Sequence, residues 1–363
     1  MIRRRDVLAG GLGAALSGCA PAPPAQPSHP AAVPATAHQP GVVDRPATHA
    51  RLAAFDLKPT GRAEPAGLLR RLGERVRAAN AAAGQTVTAA YGSSLFDSRF
   101  GLAAVRPRRL TEMPSFPNDV LDPAWCHGDL LLQICAETAD QVAAVTADLV
   151  TSAGGLRPRW HLNGFREGNG AAGDGRYVDR NLFGFREGAG NPDVHDPALM
   201  DQLVWVTPGV AGEPAWTAGG TYQVVRLIRF ATRMWEAEPV DRQEQIFGRH
   251  KSDGAPLGQG RETDEPAYAR DPDGAAIPLD AHIRRANPRT PETAGNRILR
   301  RGYSYRRSAT DEGLAFVCFQ SDVERGFATV QRRLAGEALD RYVLTYGGGY
   351  WFVPSVAGQW PKS

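Results

Sequence analysis

Lysine is almost missing from this chain. Of its 42 basic residues only Lys58, Lys251 and Lys362 are lysines, which leaves 39 arginines, a bias that a GC-rich genome explains as readily as function does. The net charge is +3 over 363 residues, and no basic run is interleaved with aromatics. Both facts argue against a nucleic-acid partner. Cysteine is scarce too: four residues, with no C-x-x-C and no Cys/His spacing of a zinc site. Setting Cys19 aside, Cys126 and Cys135 are open to pairing in an oxidising compartment or to plain core packing, and Cys318 carries no assigned chemistry. What remains, 42% apolar and 22% charged residues, is the composition of a soluble globular protein.

The first residues read as an address. Arg3-Arg4-Arg5 is a positive start, and Arg4-Arg5-Asp6-Val7-Leu8 resembles a twin-arginine export signal. The apolar stretch 8–16 that follows is too short for a bilayer, which needs about 20 residues. It ends in Leu16-Ser17-Gly18-Cys19, a lipoprotein-like box that makes Cys19 the candidate lipidated residue; the alternative is a plain signal with an incidental cysteine. The expectation is an exported protein, in the periplasm or at the cell surface, tethered to the membrane by lipid. Residues 20–48 are rich in Pro and Ala and read as a disordered tether.

Beyond the tether, periodicity predicts helices over 62–82 and 138–153 and strands over 86–93 and 129–135. A second set follows: a strand over 220–229, a helix over 230–246, a strand over 314–320 and a helix over 323–334. This is an α+β pattern, expected as two ferredoxin-like units in which helices pack on antiparallel sheets. Turn signals near Asp196 place the boundary, giving domains 49–196 and 197–363. The long polar stretch 248–297 is the kind of loop that carries function.

Two segments could carry chemistry. Asn181–Asp193 (N-L-F-G-F-R-E-G-A-G-N-P-D) holds one carboxylate, Glu187, among Gly184, Gly188 and Gly190, whose missing Cβ lets backbone approach a ligand. Read alone it is equally a Gly/Asn/Pro surface turn. A near copy, Gly164-Phe165-Arg166-Glu167-Gly168, lies twenty residues upstream, and Asp193 is a second candidate acid. The other segment, 277–301, contains one histidine, His282, either a metal or haem ligand or a structural residue. Arg300 follows, a guanidinium suited to developing negative charge or to a carboxylate partner. Tyr303, Tyr305 and Tyr350-Trp351-Phe352 are aromatic clusters, read as core packing or as a path for electrons.

These motifs, in this order, resemble a DyP-type (dye-decolorizing) haem peroxidase, similar to the exported branch of iron-uptake peroxidases called deferrochelatases. The carriers are Gly184-Phe185-Arg186-Glu187-Gly188 with Asn191-Pro192, the stretch Asp280–Arg289, and Ile298-Leu299-Arg300-Arg301-Gly302-Tyr303. Phe116–Asp119, Gly128–Gln133, Gly248–Lys251 and Gly347–Tyr350 add to them, and the match runs from about residue 50 to the end. The resemblance implies haem b (iron protoporphyrin IX), held mainly by the C-terminal unit, with His282 as proximal iron ligand. It implies Glu187 and Arg300 as the catalytic pair on the distal side. Gly188, Ala189, Gly190, His282, Asn287, Pro288, Arg289 and Arg300 would line the cofactor, with Arg289 toward a propionate. Hydrogen peroxide and a bulky, dye-like or phenolic reductant would be the substrates; a homo-oligomer and iron-uptake partners are compatible with it. One departure stands out: the family has Asp where this chain has Glu187. The competing readings are a haem-binding or iron-acquisition protein with weak peroxidase activity, and a fold relative without haem.

Overall fold

A computed structural model describes residues 38–58, 64–171, 177–207 and 212–356, all within one compact unit. The leader with Cys19 and the tether as far as residue 37 lie outside the described residues. Residues 38–48, tether by composition, pack onto the sheet: Val42 is fully buried, and Gln39 Nε2 donates to the carbonyls of Ala89 (3.0 Å) and Pro354 (2.8 Å).

The first half begins with β1 (His49–Leu57), α1 (Glu64–Ala81), β2 (Gln85–Gly92), β3 (Leu130–Ala136), α2 (Ala139–Ala153) and β4 (Leu156–Phe165). The start of α2 is set by its sequence. Thr138 Oγ1 accepts the Gln141 N–H, Gln141 Oε1 accepts the Thr138 N–H, and each bond satisfies a donor the helix cannot. A short hairpin, β5 (Glu167–Ala171) with β6 (Tyr177–Arg180), leads to α3 (Pro197–Leu203). The second half adds β7 (Thr221–Phe230), α4 (Thr232–Glu236), α5 (Val240–Phe247), α6 (His282–Ala286), β8 (Leu299–Arg300), β9 (Tyr303–Ser308), β10 (Asp311–Gln320), α7 (Thr329–Leu334) and β11 (Val343–Val353). The single helix expected over 230–246 is two short ones. Pro239 caps α5, and a proline disfavours helical geometry in the residue before it.

The strands of both halves form one sheet rather than two. Its order is β7-β11-β2-β3-β1-β4-β9-β10-β8, and a β10–β7 ladder closes eight of the strands into a ring. Closure is uneven. The β7–β11 ladder runs from Val343↔Phe230 to Val353↔Thr221, whereas the halves meet through Trp351↔Gly92 and Phe352↔Tyr91 on one side and Phe165↔Ser304 on the other.

All eight strands of the ring send side chains into one apolar cluster, among them Leu52, Ala90, Leu131, Trp160, Val225 and Trp351, which is how a small barrel fills its interior. The opposite face of β1–β3 packs under α1 and α2 through Leu72, Val87, Ile134 and Leu149. Covered on both sides, β1 is buried at nearly every position.

Gly348 limits how β11 closes the ring. Its φ is +125°, and a Cβ there would stand 2.0 Å from the Val225 carbonyl oxygen. Since backbone cannot step aside as a side chain does, Gly348→Ala is expected to destabilise the fold by at least about 3 kcal/mol. Urea unfolding of the two proteins, with midpoint and slope compared, measures the loss.

Candidate functional site

The loop after β6 is built around Asn181. Its Oδ1 accepts the N–H groups of Phe183 (3.0 Å) and Phe185 (3.2 Å), its carbonyl accepts from Gly184, and its Nδ2 donates to Glu187 Oε1 at 2.8 Å. Phe183 and Phe185 fasten the loop below, stacking on Phe230 and Phe247 with ring centres 3.9 and 4.0 Å apart. The Glu187 N–H donates to the Asp179 carbonyl at 3.0 Å. Glu187 is thus a half-buried carboxylate on a rigid support rather than part of a mobile turn.

Past Glu187 the chain turns through Gly188 and Gly190, with φ of +82° and +78°. A Cβ on Gly190 would come within 3.3 Å of Arg249 Nη2. Asn191 then ties this turn to β8. Its Nδ2 donates to the Arg300 carbonyl (2.9 Å), and its Oδ1 accepts from Arg300 N and Nε (3.1 and 3.2 Å). Arg300 Nη2 donates to the Ala189 carbonyl at 2.6 Å. Burial pulls the Arg300 guanidinium below its ordinary range, and the nearby Glu187 carboxylate opposes that pull.

Glu187, Ala189, Gly190 and Arg300 line a cavity of about 250 Å³. His282, Asn287 and Arg289 line the same cavity. His282 is the first residue of α6, held there because Arg284 pairs with Asp271 (3.0 Å) and Arg285 donates to the Ala335 carbonyl (2.8 Å). Its Nδ1 lies 2.8 Å from Glu337 Oε2, and that carboxylate is 5% exposed. The pair has one sensible tautomer: Nδ1–H donates to the carboxylate, and Nε2 keeps its lone pair.

Of the expected cofactor contacts, Gly188 and Pro288 flank the cavity-lining residues Ala189, Asn287 and Arg289 without lining the cavity themselves. Gly188 supplies the left-handed turn, and Pro288 precedes Arg289, whose own φ is +58°. Asp193 is exposed and accepts the His195 N–H at 2.9 Å, so it does not stand in for Glu187. Glu167 falls on β5, where side chains lie outside the described residues. Cys126, Cys135 and Cys318 are free and buried, so the pairing option is not taken up. Tyr303, Tyr305, Tyr350, Trp351 and Phe352 are packed in the core, and none lines the cavity.

The sequence reading missed a cluster of cations at the cavity wall. Arg249 and Arg297 join Arg289 and Arg300 there, beside Tyr268. Burial, then the repulsion of Arg300 and Arg289, brings Arg249 down to about 10. Burial and Arg289 lower Arg297 as well, and burial pushes Tyr268 up to about 12. Arg289 pairs with Glu265 at 2.8 Å, but Arg249 Nε, Arg297 Nε and the Tyr268 hydroxyl are buried without hydrogen-bond partners. Such a group of unfilled donors is a receptor for an anion. Among the described residues no cluster of three or more His, Cys, Asp or Glu could cage a bare metal ion.

Comparison with known proteins adds to this geometry. The family model for the Dyp-type peroxidase N-terminal part matches residues 39–166, and that for the C-terminal part matches 178–358. A Deferrochelatase of Escherichia coli (strain K12) is 51% identical over 278 residues, covering 75% of this chain and 66% of that protein. One from Yersinia pseudotuberculosis is 50% identical over 279 residues, covering 75% and 64%, so this chain spans a little under two thirds of that relative. Among solved structures, a DyP-type peroxidase from Streptomyces coelicolor superposes with TM-score 0.80 at 35% identity, covering 89% of this chain and 93% of that one. Ferric DtpA from Streptomyces lividans gives 0.79 at 36%, covering 88% and 92%.

Proposed function

The chain belongs to the Dyp-type peroxidase family, and from that premise we propose that it is a haem-dependent peroxidase using hydrogen peroxide to oxidise a bulky, dye-like or phenolic reductant. The observation that carries this reading is His282, tied through Nδ1 to Glu337, in one cavity with Glu187, Arg300 and a surplus of guanidinium groups. The donor set suits haem b. One imidazole with a free Nε2 suits iron already held by a macrocycle, and the unfilled donors of Arg249, Arg297 and Tyr268 beside Arg289 suit propionates. Ile228, Phe316, Phe327 and Leu339 give the apolar walls a porphyrin needs.

When bound, haem supplies the iron that receives peroxide and passes oxidising equivalents to the reductant. The protein's share is positional. Glu337 fixes the His282 tautomer and raises its basicity as an iron ligand. Glu187 takes a proton from one peroxide oxygen and returns it to the other, and Asn181 aims the carboxylate for both transfers. Arg300, immobilised by Asn191 and Ala189, stabilises the negative charge that grows as the O–O bond parts. Glu337→Gln is expected to keep haem bound, raise the iron reduction potential and slow the reaction with peroxide by about tenfold; a spectroelectrochemical titration with stopped-flow mixing tests all three.

The same proposal takes the strand orders β2-β3-β1-β4 and β11-β7-β10-β9 as two ferredoxin-like units divided near Asp196, with haem mainly in the second. It also includes export by the twin-arginine route with Cys19 lipidated. The name of the half-identical relatives, Deferrochelatase, supports a second reading: haem capture for iron acquisition, with residual peroxidase activity because Glu187 replaces Asp. Stopped-flow absorption of the holoprotein with peroxide separates the two. A prompt, stoichiometric change of the Soret band supports the enzyme, and a spectrum that only bleaches slowly supports capture.

A further inference from the structure

The upstream copy of the motif, 164–168, has no part in the function above, yet its arginine is tied to the strand from which Glu187 hangs. Arg166 follows the last residue of β4, its N–H donating to the Thr48 carbonyl at 2.9 Å. Its side chain is 8% exposed, and Nη2 stands 2.5 Å from Asp179 Oδ1, a carboxylate itself 5% exposed. Asp179 is the residue whose carbonyl accepts the Glu187 N–H. The ion pair therefore fixes the strand from which the acid hangs.

Arg166 is also underused. Its Nε and Nη1 are buried with no hydrogen-bond partner, and its guanidinium lies 5.5 Å from the Tyr303 ring centre. The charge of Glu187 is felt at Arg166, as it is at Arg300. Asn181 and the Asp179 carbonyl are the groups that hold the acid itself. A buried cation with two unfilled N–H groups has room for an ordered water or a further acceptor beside its Asp179 partner.

We propose that Arg166 is a positioning residue for Glu187: its buried ion pair with Asp179 fixes the strand whose carbonyl holds the Glu187 N–H, and so keeps the longer acid in place. This rests on the reading of Glu187 as the distal acid. It assigns the first copy of the repeated motif to support and the second to proton transfer.

Removing Arg166 alone would strand the buried Asp179 carboxylate, so the test replaces both as R166Q/D179N. Two readouts on the ferric holoprotein are followed: the association rate of cyanide, which binds after giving up a proton, and the reaction rate with peroxide. An acid displaced from its place hands protons on less well, so both rates should fall by about tenfold. R166K, which can keep the ion pair with Asp179, should hold both rates near wild type. In an E187Q background, R166Q/D179N should change either rate by less than about twofold. An equal loss in both backgrounds, or wild-type rates while Soret band and melting temperature also match wild type, overturns the proposal. If E187Q by itself leaves both rates unchanged, the distal-acid reading falls first; a strong E187Q effect with additive losses removes only Arg166.

Discussion

His282→Ala yields protein that folds but, purified and mixed with haem, shows no high-affinity Soret band. The expectation follows from the donor set: the cavity offers one imidazole, and among the described residues no cluster of ligating side chains stands ready to replace it. The remaining attraction is that of guanidinium groups for propionates and of apolar walls for the ring. Neither of these fixes iron. Haem affinity should fall by at least about a hundredfold, since losing even a supporting group behind a ligand costs about 10–100-fold. The fold should survive, because His282 is a quarter exposed at the head of a five-residue helix. Haem titration by difference absorption, with circular dichroism as the control, settles the matter; full affinity in the variant would remove His282 as the ligand.

Glu187 gives the second large effect. Glu187→Gln retains size and the hydrogen bond from Asn181 but cannot carry a proton, so peroxide reaction should slow by about 10²–10⁴-fold with haem still bound. Glu187→Asp should react as fast as wild type or faster, because the family's own acid then stands on the same rigid loop. The added methylene moves a carboxylate by about 1.5 Å, and misplacement of about 1 Å can cost about a hundredfold. In this loop Asn181 Nδ2 holds the longer side chain at 2.8 Å, which limits how far its carboxylate can swing back to the position a shorter acid would take. Single-mixing stopped flow of the three proteins ranks them, and equal rates for wild type and Glu187→Gln would leave Glu187 with no proton to move.

What the sequence made legible was local and ordered. Glu187, His282 and Arg300 sit in short motifs, and all three line one cavity. Glu337 was out of reach, because its relation to His282 spans 55 residues and exists only once α6 and the turn at 338–341 pack together. The arginine cluster is tertiary in the same way, drawn from positions 249, 289, 297 and 300. Strands were missed where the usual signal is broken. β1 is buried on both faces, β4 opens on a polar stretch with Pro158 before its alternation begins at Trp160, and β11 carries Gly347-Gly348-Gly349 where a turn would be read. Closure of the sheet has no local signal at all, since it depends on β7 pairing with β10 and β11 across more than eighty residues.

The uneven ring has a consequence for how the protein responds to temperature. Between the halves the strand ladders are short, Trp351↔Gly92 and Phe352↔Tyr91 on one side and Phe165↔Ser304 on the other, with the isolated bridges Asp119↔Thr345 and Cys126↔Gly348 beside them. Much of what joins them is the shared apolar interior, in which Leu52, Trp160, Val225 and Trp351 belong to one cluster and the indoles of Trp160 and Trp351 meet edge to face at 6.0 Å. Apolar attraction weakens on cooling, while ladders such as β7–β11 do not depend on it in the same degree. The seam between the halves is therefore expected to loosen on chilling before either half loses its own strands, and amide exchange followed at falling temperature would show it first along β2, β4, β9 and β11.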